Sequence, residues 1–233
     1  MILNLAHYEF FDIAQPVLAQ ERLEELFKNT SVKGTVLIAR EGVNFNLAGP
    51  PEELEETITG WLKNLGATDF KFKRSHSKSR PFKKLKIKVK PEIITMGQKD
   101  LDVKKLHSPH IAPGDFARVL ENPGNHLILD ARNDFEFEVG TFRHAQAAGM
   151  KSFRDFPQVA SRLDKTRPVI MFCTGGVRCE KASALLVQQG FKSVQQLEGG
   201  ILRYFEDQGK KHFVGSCFVF DERLALDGAE EAE

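Results

Sequence analysis

Residues 172–183 read FCTGGVRCEKAS, a stretch whose residue types and spacing favour chemistry. Cys173 closes the apolar run RPVIMFC, which has the character of a buried strand, and TGGVR leads into a helix expected to begin near Cys179. Ligand sites in open α/β sheets lie beyond the carboxyl ends of the strands. Gly175 and Gly176 permit backbone angles that let amides converge. Successive N–H groups beside a helix N-terminus then form an anion-binding concavity. A thiol held there ionises more readily than a free one, which makes Cys173 the candidate nucleophile. Arg178 supplies a fixed positive charge that orients an anion. Thr174, Val177 and Cys179 complete the loop.

Other readings of the same residues stay open. A cysteine at the end of an apolar strand can be a small core residue. Cys173 and Cys179 could pair as a disulfide, but spacing does not set the distance between them. A zinc site needs four ligands, usually in close pairs, and no histidine accompanies these two, so no metal is expected. No dinucleotide, flavin or haem motif is present, and no cofactor is assigned. Asp130 and Arg132, at the end of LILDAR, are expected at the same sheet edge as Cys173, with Asp130 holding loop amides. Glu180 and Lys181 are read as a solvated face or a loop brace, and Cys217, in the apolar CFVF, as packing.

The elements that must position this loop fall into two groups. NLAHYEFFDI has strand character. PVLAQERLEELFKNT is a helix with Val17, Leu18, Leu23, Leu26 and Phe27 roughly on one face. KGTVLIAREGVNFNLAG is two strands with a turn at Glu41-Gly42. PPEELEETITGWLKNLG is a second helix with proline at its start and Gly66 beyond its end. One or two further strands follow around a polar insert. This order is the split βαβ pattern of a ferredoxin-like α+β domain over residues 1–95. Residues 96–112 have little periodicity and read as a linker. Residues 113–215 alternate short apolar strands with helices, which indicates an α/β domain with a mostly parallel sheet covered on both faces. Residues 216–233 read as a strand and an acidic tail.

Bulk properties are those of a soluble globular chain. The 233 residues carry a net charge of +1, so nothing global points to nucleic acid or membrane. The apolar runs are too short to span a bilayer. The first residues lack a basic n-region and a cleavage site, so no secretory signal is expected. Three cysteines argue for a reducing compartment, with the cytoplasm as the default. Against this neutral background residues 71–90 hold ten Lys or Arg and no acid. Such a local patch suits a phosphate backbone, with Lys78, Arg80, Lys83, Lys84 and Lys86 as candidate contacts. Phe72 and Phe82 interleave with it and could stack on bases; a solvated strand pair is the alternative.

The strand–Cys–loop–Arg–helix unit, the following GFKSVQQLEGGI and the preceding LILDARNDFEFEVGTFRHA resemble the rhodanese domain. That resemblance implies that Cys173 occupies the persulfide-carrying position and that loop amides cradle it. Two departures accompany it. Thr141 and Phe142 replace the usual His-Ile after glycine. The spacing Cys173-x4-Arg178 is one residue shorter than the Cys-x5-Arg of related phosphatases, which counts against phosphate-ester chemistry. Over nearly the whole chain, GTVLIAREGVNFNLAG, FCTGGVRCEKAS, LEGGILRYFE and CFVFDER resemble the oxygen-dependent tRNA uridine(34) hydroxylase family, bacterial proteins that pair a ferredoxin-like with a rhodanese domain. The resemblance implies hydroxylation of the wobble uridine to 5-hydroxyuridine, with tRNA as partner, O2 as co-substrate and an unspecified electron donor. No protein partner is implied. A rhodanese-type persulfide sulfurtransferase and a non-catalytic RNA-binding adaptor are the alternatives.

Overall fold

The computed structural model describes residues 1–79, 81–98, 101–218 and, for the backbone, 225–226. Arg80 lies outside the described residues. The chain forms two compact units, Met1–Thr95 and Met96–Glu233.

The first unit runs β1 (Ile2–Phe10), α1 (Pro16–Phe27), β2 (Lys33–Ala39), β3 (Gly42–Gly49), α2 (Pro51–Leu65), β4 (Lys73–Ser77) and β5 (Leu85–Val89). The sheet order is β4-β1-β3-β2-β5, with β5 parallel to β2 and every other pair antiparallel. The first four strands with α1 and α2 make the ferredoxin-like arrangement, and β5 adds a strand at its edge. Both helices bury one stripe against one sheet face. Leu23, Phe27, Ile58, Trp61 and Leu62 meet Leu5, Val36, Ile38, Phe45, Leu47 and Ile87 there. The Trp61 indole N–H donates to the carbonyl of Ala19 at 3.0 Å and ties the helices together.

Three local expectations shift. The buried stripe of α1 is Ala19, Leu23 and Phe27. Val17, Leu18 and Leu26 are exposed. At 3.6 residues per turn, Val17 and Leu18 lie roughly 120–140° from the centre of that stripe. The hairpin turn falls at Arg40-Glu41, one residue early, because Gly42 is already paired with Phe10. Phe72 is not a surface aromatic: it is buried against His7, at 5.2 Å between ring centroids, and belongs to the helix-side core.

The second unit runs β6 (His110–Ile111), α3 (Pro113–Glu121), β7 (Leu127–Asp130), α4 (Asp134–Val139), β8 (Gly140–Phe142) and β9 (Gln146–Ala147). It continues with α5 (Phe156–Ala160), β10 (Val169–Phe172), α6 (Val177–Gln188), β11 (Val194–Leu197), α7 (Gly200–Gln208), β12 (Phe213–Gly215), β13 (Cys217–Phe218) and β14 (Ala225–Leu226). The main sheet has the order β6-β11-β10-β7-β9, and all its pairs are parallel. Every residue of β7 and β10 is buried, as expected for central strands with both faces covered. The segment read as linker therefore also supplies an edge strand, β6. Phe142 packs edge-on to Phe116, Phe172, Tyr204 and Phe213, with ring centroids 4.6–5.1 Å apart.

The only tryptophan, Trp61, is a fluorescence reporter for the first unit. Leu47→Ala, which removes a fully buried side chain from β3, should destabilise that unit by about 2–5 kcal/mol. Val17→Ala, at an exposed site, should stay within about 0.5 kcal/mol. Urea unfolding followed by Trp61 emission checks both, and equal midpoints would contradict the core assignment.

Candidate active site

Cys173 follows β10 directly, and α6 starts at Val177, two residues before the start expected from sequence. Gly176, with φ of 103°, makes the turn into the helix. Its N–H donates to the Cys173 sulfur at 3.1 Å. The thiol and backbone N–H of Cys179 donate to the same sulfur. Burial opposes ionisation of Cys173, but these hydrogen bonds and the Arg178 charge outweigh it and bring the thiol down to about 5. Burial and the neighbouring Cys173 push the Cys179 thiol the other way, well above its ordinary value. The two cysteines are therefore an unequal pair, with Cys173 the thiolate and Cys179 the proton-bearing donor.

Arg178 turns into the protein rather than toward water. Its guanidinium donates to both carboxylate oxygens of Glu136, at 2.6 and 2.9 Å, and to the Thr174 hydroxyl at 3.3 Å. Glu136 is fully buried in α4 and also accepts from the N–H of Asn133 at 3.1 Å. A fork-to-fork pair of this kind fixes direction as well as charge. Glu136 is a functional residue that sequence reasoning does not single out. Its signal is the Glu-x-x-x-Gly spacing to Gly140, which Glu136 alone of Asp134, Glu136 and Glu138 satisfies.

A second such residue is Gly200. The N–H groups of Ile201 and Leu202, at the start of α7, donate to the carbonyls of Cys173 and Thr174 at 3.0 and 3.1 Å. A Cβ on Gly200 would lie 2.4 Å from the Cys173 carbonyl oxygen and 3.0 Å from the Gly176 nitrogen, and its φ is 69°. The Gly-Gly of LEGGI is thus where the backbone of α7 seats the loop from behind.

Asp130 holds the backbone N–H of Arg132 at 3.1 Å, an amide of its own loop rather than of the 173–179 loop. The Asp130 carboxylate accepts from the Arg132 guanidinium at 2.7 Å and from the Thr141 hydroxyl at 2.7 Å, and Arg132 donates to the Gly140 carbonyl at 2.5 Å. They lock the α4–β8 corner that carries Glu136, one step removed from Cys173. Thr141 and Phe142, the two departures from the rhodanese pattern, find roles here as hydroxyl donor and aromatic core. Glu180 and Lys181 are not a solvated face. Glu180 accepts from the Gln196 amide at 3.0 Å and faces His110 at 3.3 Å, and Lys181 is buried. Cys217 is fully buried in the aromatic core. Among the described residues no three His, Cys, Asp or Glu side chains are grouped as metal ligands.

In the first unit, Lys78, Lys83 and Lys84 are exposed in the connection from β4 to β5, and Lys86 is exposed on β5. The sheet order puts β4 and β5 at opposite edges, so a stretch continuous in sequence spans the whole width of the sheet. Arg74 is held by Glu55 of α2. Glu41 and Asn44 of the hairpin bind the backbone of Ile93 at 2.7 and 3.1 Å and pin the chain leaving β5.

An anion-stabilising loop between a central parallel strand and a helix, backed by a buried Arg–Glu pair, defines a rhodanese-type site. Residues 112–207 match the rhodanese-like domain, and residues 2–93 match the UPF0176 acylphosphatase like domain. The chain is 40% identical to a tRNA uridine(34) hydroxylase of Teredinibacter turnerae, over 97% of this chain and 72% of that one. It is 42% identical to a protein of the same name from Synechocystis sp., over 89% and 76%. A Pelagibacter ubique protein of that name is 42% identical over 88% and 68%. The chain belongs to the tRNA uridine(34) hydroxylase family.

Gly200→Ala should loosen the loop without removing any reactive atom. The added Cβ must push α7 away from Cys173 and adopt a left-handed backbone, a combined cost of about 1–3 kcal/mol or more. Amide hydrogen exchange at residues 174–178 should accelerate while exchange in β1–β3 stays as in the wild type. Unchanged exchange in the loop would contradict the seating role of α7.

Proposed function

We propose that this protein hydroxylates C5 of uridine 34 in tRNA, giving 5-hydroxyuridine, with Cys173 as the nucleophile. The observation that carries the reading is the buried Cys173 sulfur, which accepts the Gly176 N–H at 3.1 Å beside Cys179 and the Arg178 charge, an environment that favours its ionised form, in a chain of the tRNA uridine(34) hydroxylase family. A thiolate that is ionised at neutral pH and bound by oriented donors is poised for covalent catalysis. Converting C5–H to C5–OH with O2 takes up two electrons and two protons and releases one water. A two-electron reductant is therefore part of the reaction. The electropositive first unit is the tRNA-binding part, since phosphate contacts by Lys dominate affinity for nucleic acid. The reaction belongs in the cytoplasm, where tRNA is. Among the described residues no helix is long and apolar enough to cross a membrane.

The loop by itself also suits sulfur transfer, because a thiolate of lowered pKa attacks sulfur as readily as carbon. The two readings differ in the atom gained. Incubation of the protein with unmodified tRNA, a reductant and isotopically labelled O2 should give 5-hydroxyuridine carrying the label, by nucleoside mass spectrometry. A sulfur gain, or the same product formed without O2, would overturn the hydroxylase reading. Cys173→Ser should abolish the product, and Cys179→Ala should leave a measurable fraction, since Cys179 supplies hydrogen bonds rather than the attacking atom. Equal loss in both variants would mean that the two sulfurs act as a unit.

A further inference from the structure

The face of the first unit's sheet that points away from α1 and α2 has a composition unlike the rest of the unit. The register places Lys73, Ala6, Asn46, Thr35 and Lys86 in one row across all five strands. The neighbouring row is Tyr8, Asn44, Leu37 and Lys88, and the row on the other side is Ser75, Asn4, Ala48 and Lys33. Alternation along each strand makes this the side opposite the core: Leu5, Phe45, Val36 and Ile87 face the helices. Four lysines and no acid occupy these positions. The helices show the opposite balance, with three glutamates in α1 and four in α2 against one basic residue in each. Charge is thus segregated, with acids over the helices and lysines over the sheet.

The lysines sit toward the two edges and the hydrogen-bonding side chains sit between them. Lys86 and Lys88 are exposed on β5, and Lys73 is half-buried on β4 at the far edge, about 19 Å away across four strand spacings. Asn46, on the central strand, is exposed and Thr35 beside it is half-buried, while the Asn44 amide is taken by the Ile93 carbonyl and marks the limit of the open face. Amide and hydroxyl groups carry both donors and acceptors, which base edges require. Tyr8, half-buried and edge-on to Phe10 at 6.4 Å, offers an aromatic surface on the same side. The β4–β5 connection runs along the end of the sheet where β1 and β2 begin. Its Lys78, Lys83 and Lys84 therefore border this face, next to Lys33.

We propose that this sheet face is the docking surface for a single-stranded loop of RNA, with phosphates held at the lysine-bearing edges and bases laid over Asn46, Thr35 and Tyr8. The assignment rests on the hydroxylase reading for the identity of the polyanion. Charge complementarity selects a polyanion, and the polar centre distinguishes this face from a purely electrostatic patch. The unstacked bases of a loop can be splayed onto such a surface, whereas the bases of an RNA helix stay stacked and its deep, narrow major groove is closed to side chains.

The test compares tRNA binding and hydroxylation in three proteins: wild type, K73E/K86E/K88E, and a helix-face control, E52K/E53K. The triple variant should bind unmodified tRNA at least tenfold more weakly. Its log–log salt slope should be shallower by about 2–3, near 0.9 for each phosphate no longer neutralised. The control should bind no more weakly than wild type. A photo-crosslinker at Asn46→Cys should attach to tRNA, and one at Glu52→Cys should not, which keeps the test valid if the triple variant folds poorly. Unchanged affinity in a folded triple variant, or crosslinking confined to the helix face or to another protein, overturns the docking surface. Wild type that still hydroxylates tRNA in that case leaves the hydroxylase reading standing. Wild type that neither binds nor hydroxylates tRNA removes both.

Discussion

Arg178 keeps its positive charge where the protein surrounds it almost completely, and the catalytic loop is arranged around that fact. An isolated guanidinium in such a place would be prohibitively costly to desolvate. Glu136 makes it tolerable by meeting it in a two-point pair, at 2.6 and 2.9 Å. The pair adds little stability compared with well-packed apolar residues, but breaking one side of it costs about 3–5 kcal/mol. Its value is direction. With Glu136 holding the guanidinium, the charge is fixed in the loop and favours the Cys173 thiolate.

The remaining parts of the second unit serve that pair. Asp130, Arg132 and Thr141 lock the corner between β7, α4 and β8, which fixes the depth at which Glu136 enters the interior. The N-terminus of α7 presses on the loop carbonyls from behind. Glu180 ties the first turn of α6 to β11 through Gln196 and to β6 through His110. The segment with the composition of a linker therefore ends in a strand that braces the helix after the catalytic loop.

Much of this is legible in the sequence, and the illegible part has a common cause. Short apolar runs bounded by Gly and Pro mark β7, β10 and the helices of both units. The Gly-Gly-Val-Arg spacing marks the loop, because a glycine-rich turn after a buried strand has few other uses. Glu136 carries only one local mark, its four-residue spacing to Gly140, since Asp134 and Glu138 in DFEFEVG have similar neighbours. Only a partner 42 residues away decides which one is buried. Phe72 misleads for the same reason: among lysines it looks exposed, yet its ring reaches His7 and Phe45 on strands remote in sequence. The basic stretch itself is plain, but its division between two sheet edges follows from strand order, which is a non-local property.

Against the burial that opposes it, the Cys173 thiolate is favoured by the Cys179 hydrogen bond, by the fixed Arg178 charge and by the loop amides together. Ultraviolet thiolate absorbance, titrated against pH in wild type and in Arg178→Gln, tests this most directly. A cation beside the thiolate lowers the midpoint, so its removal must raise it. Wild type should show one thiol ionised down to about pH 5, and Arg178→Gln should move that midpoint up part of the way to the free-thiol value of about 8.5, the remaining hydrogen bonds holding it below that value. Identical midpoints in the two proteins, or a wild-type thiol that ionises like a free one, would mean that the buried Arg178 charge does not act on Cys173.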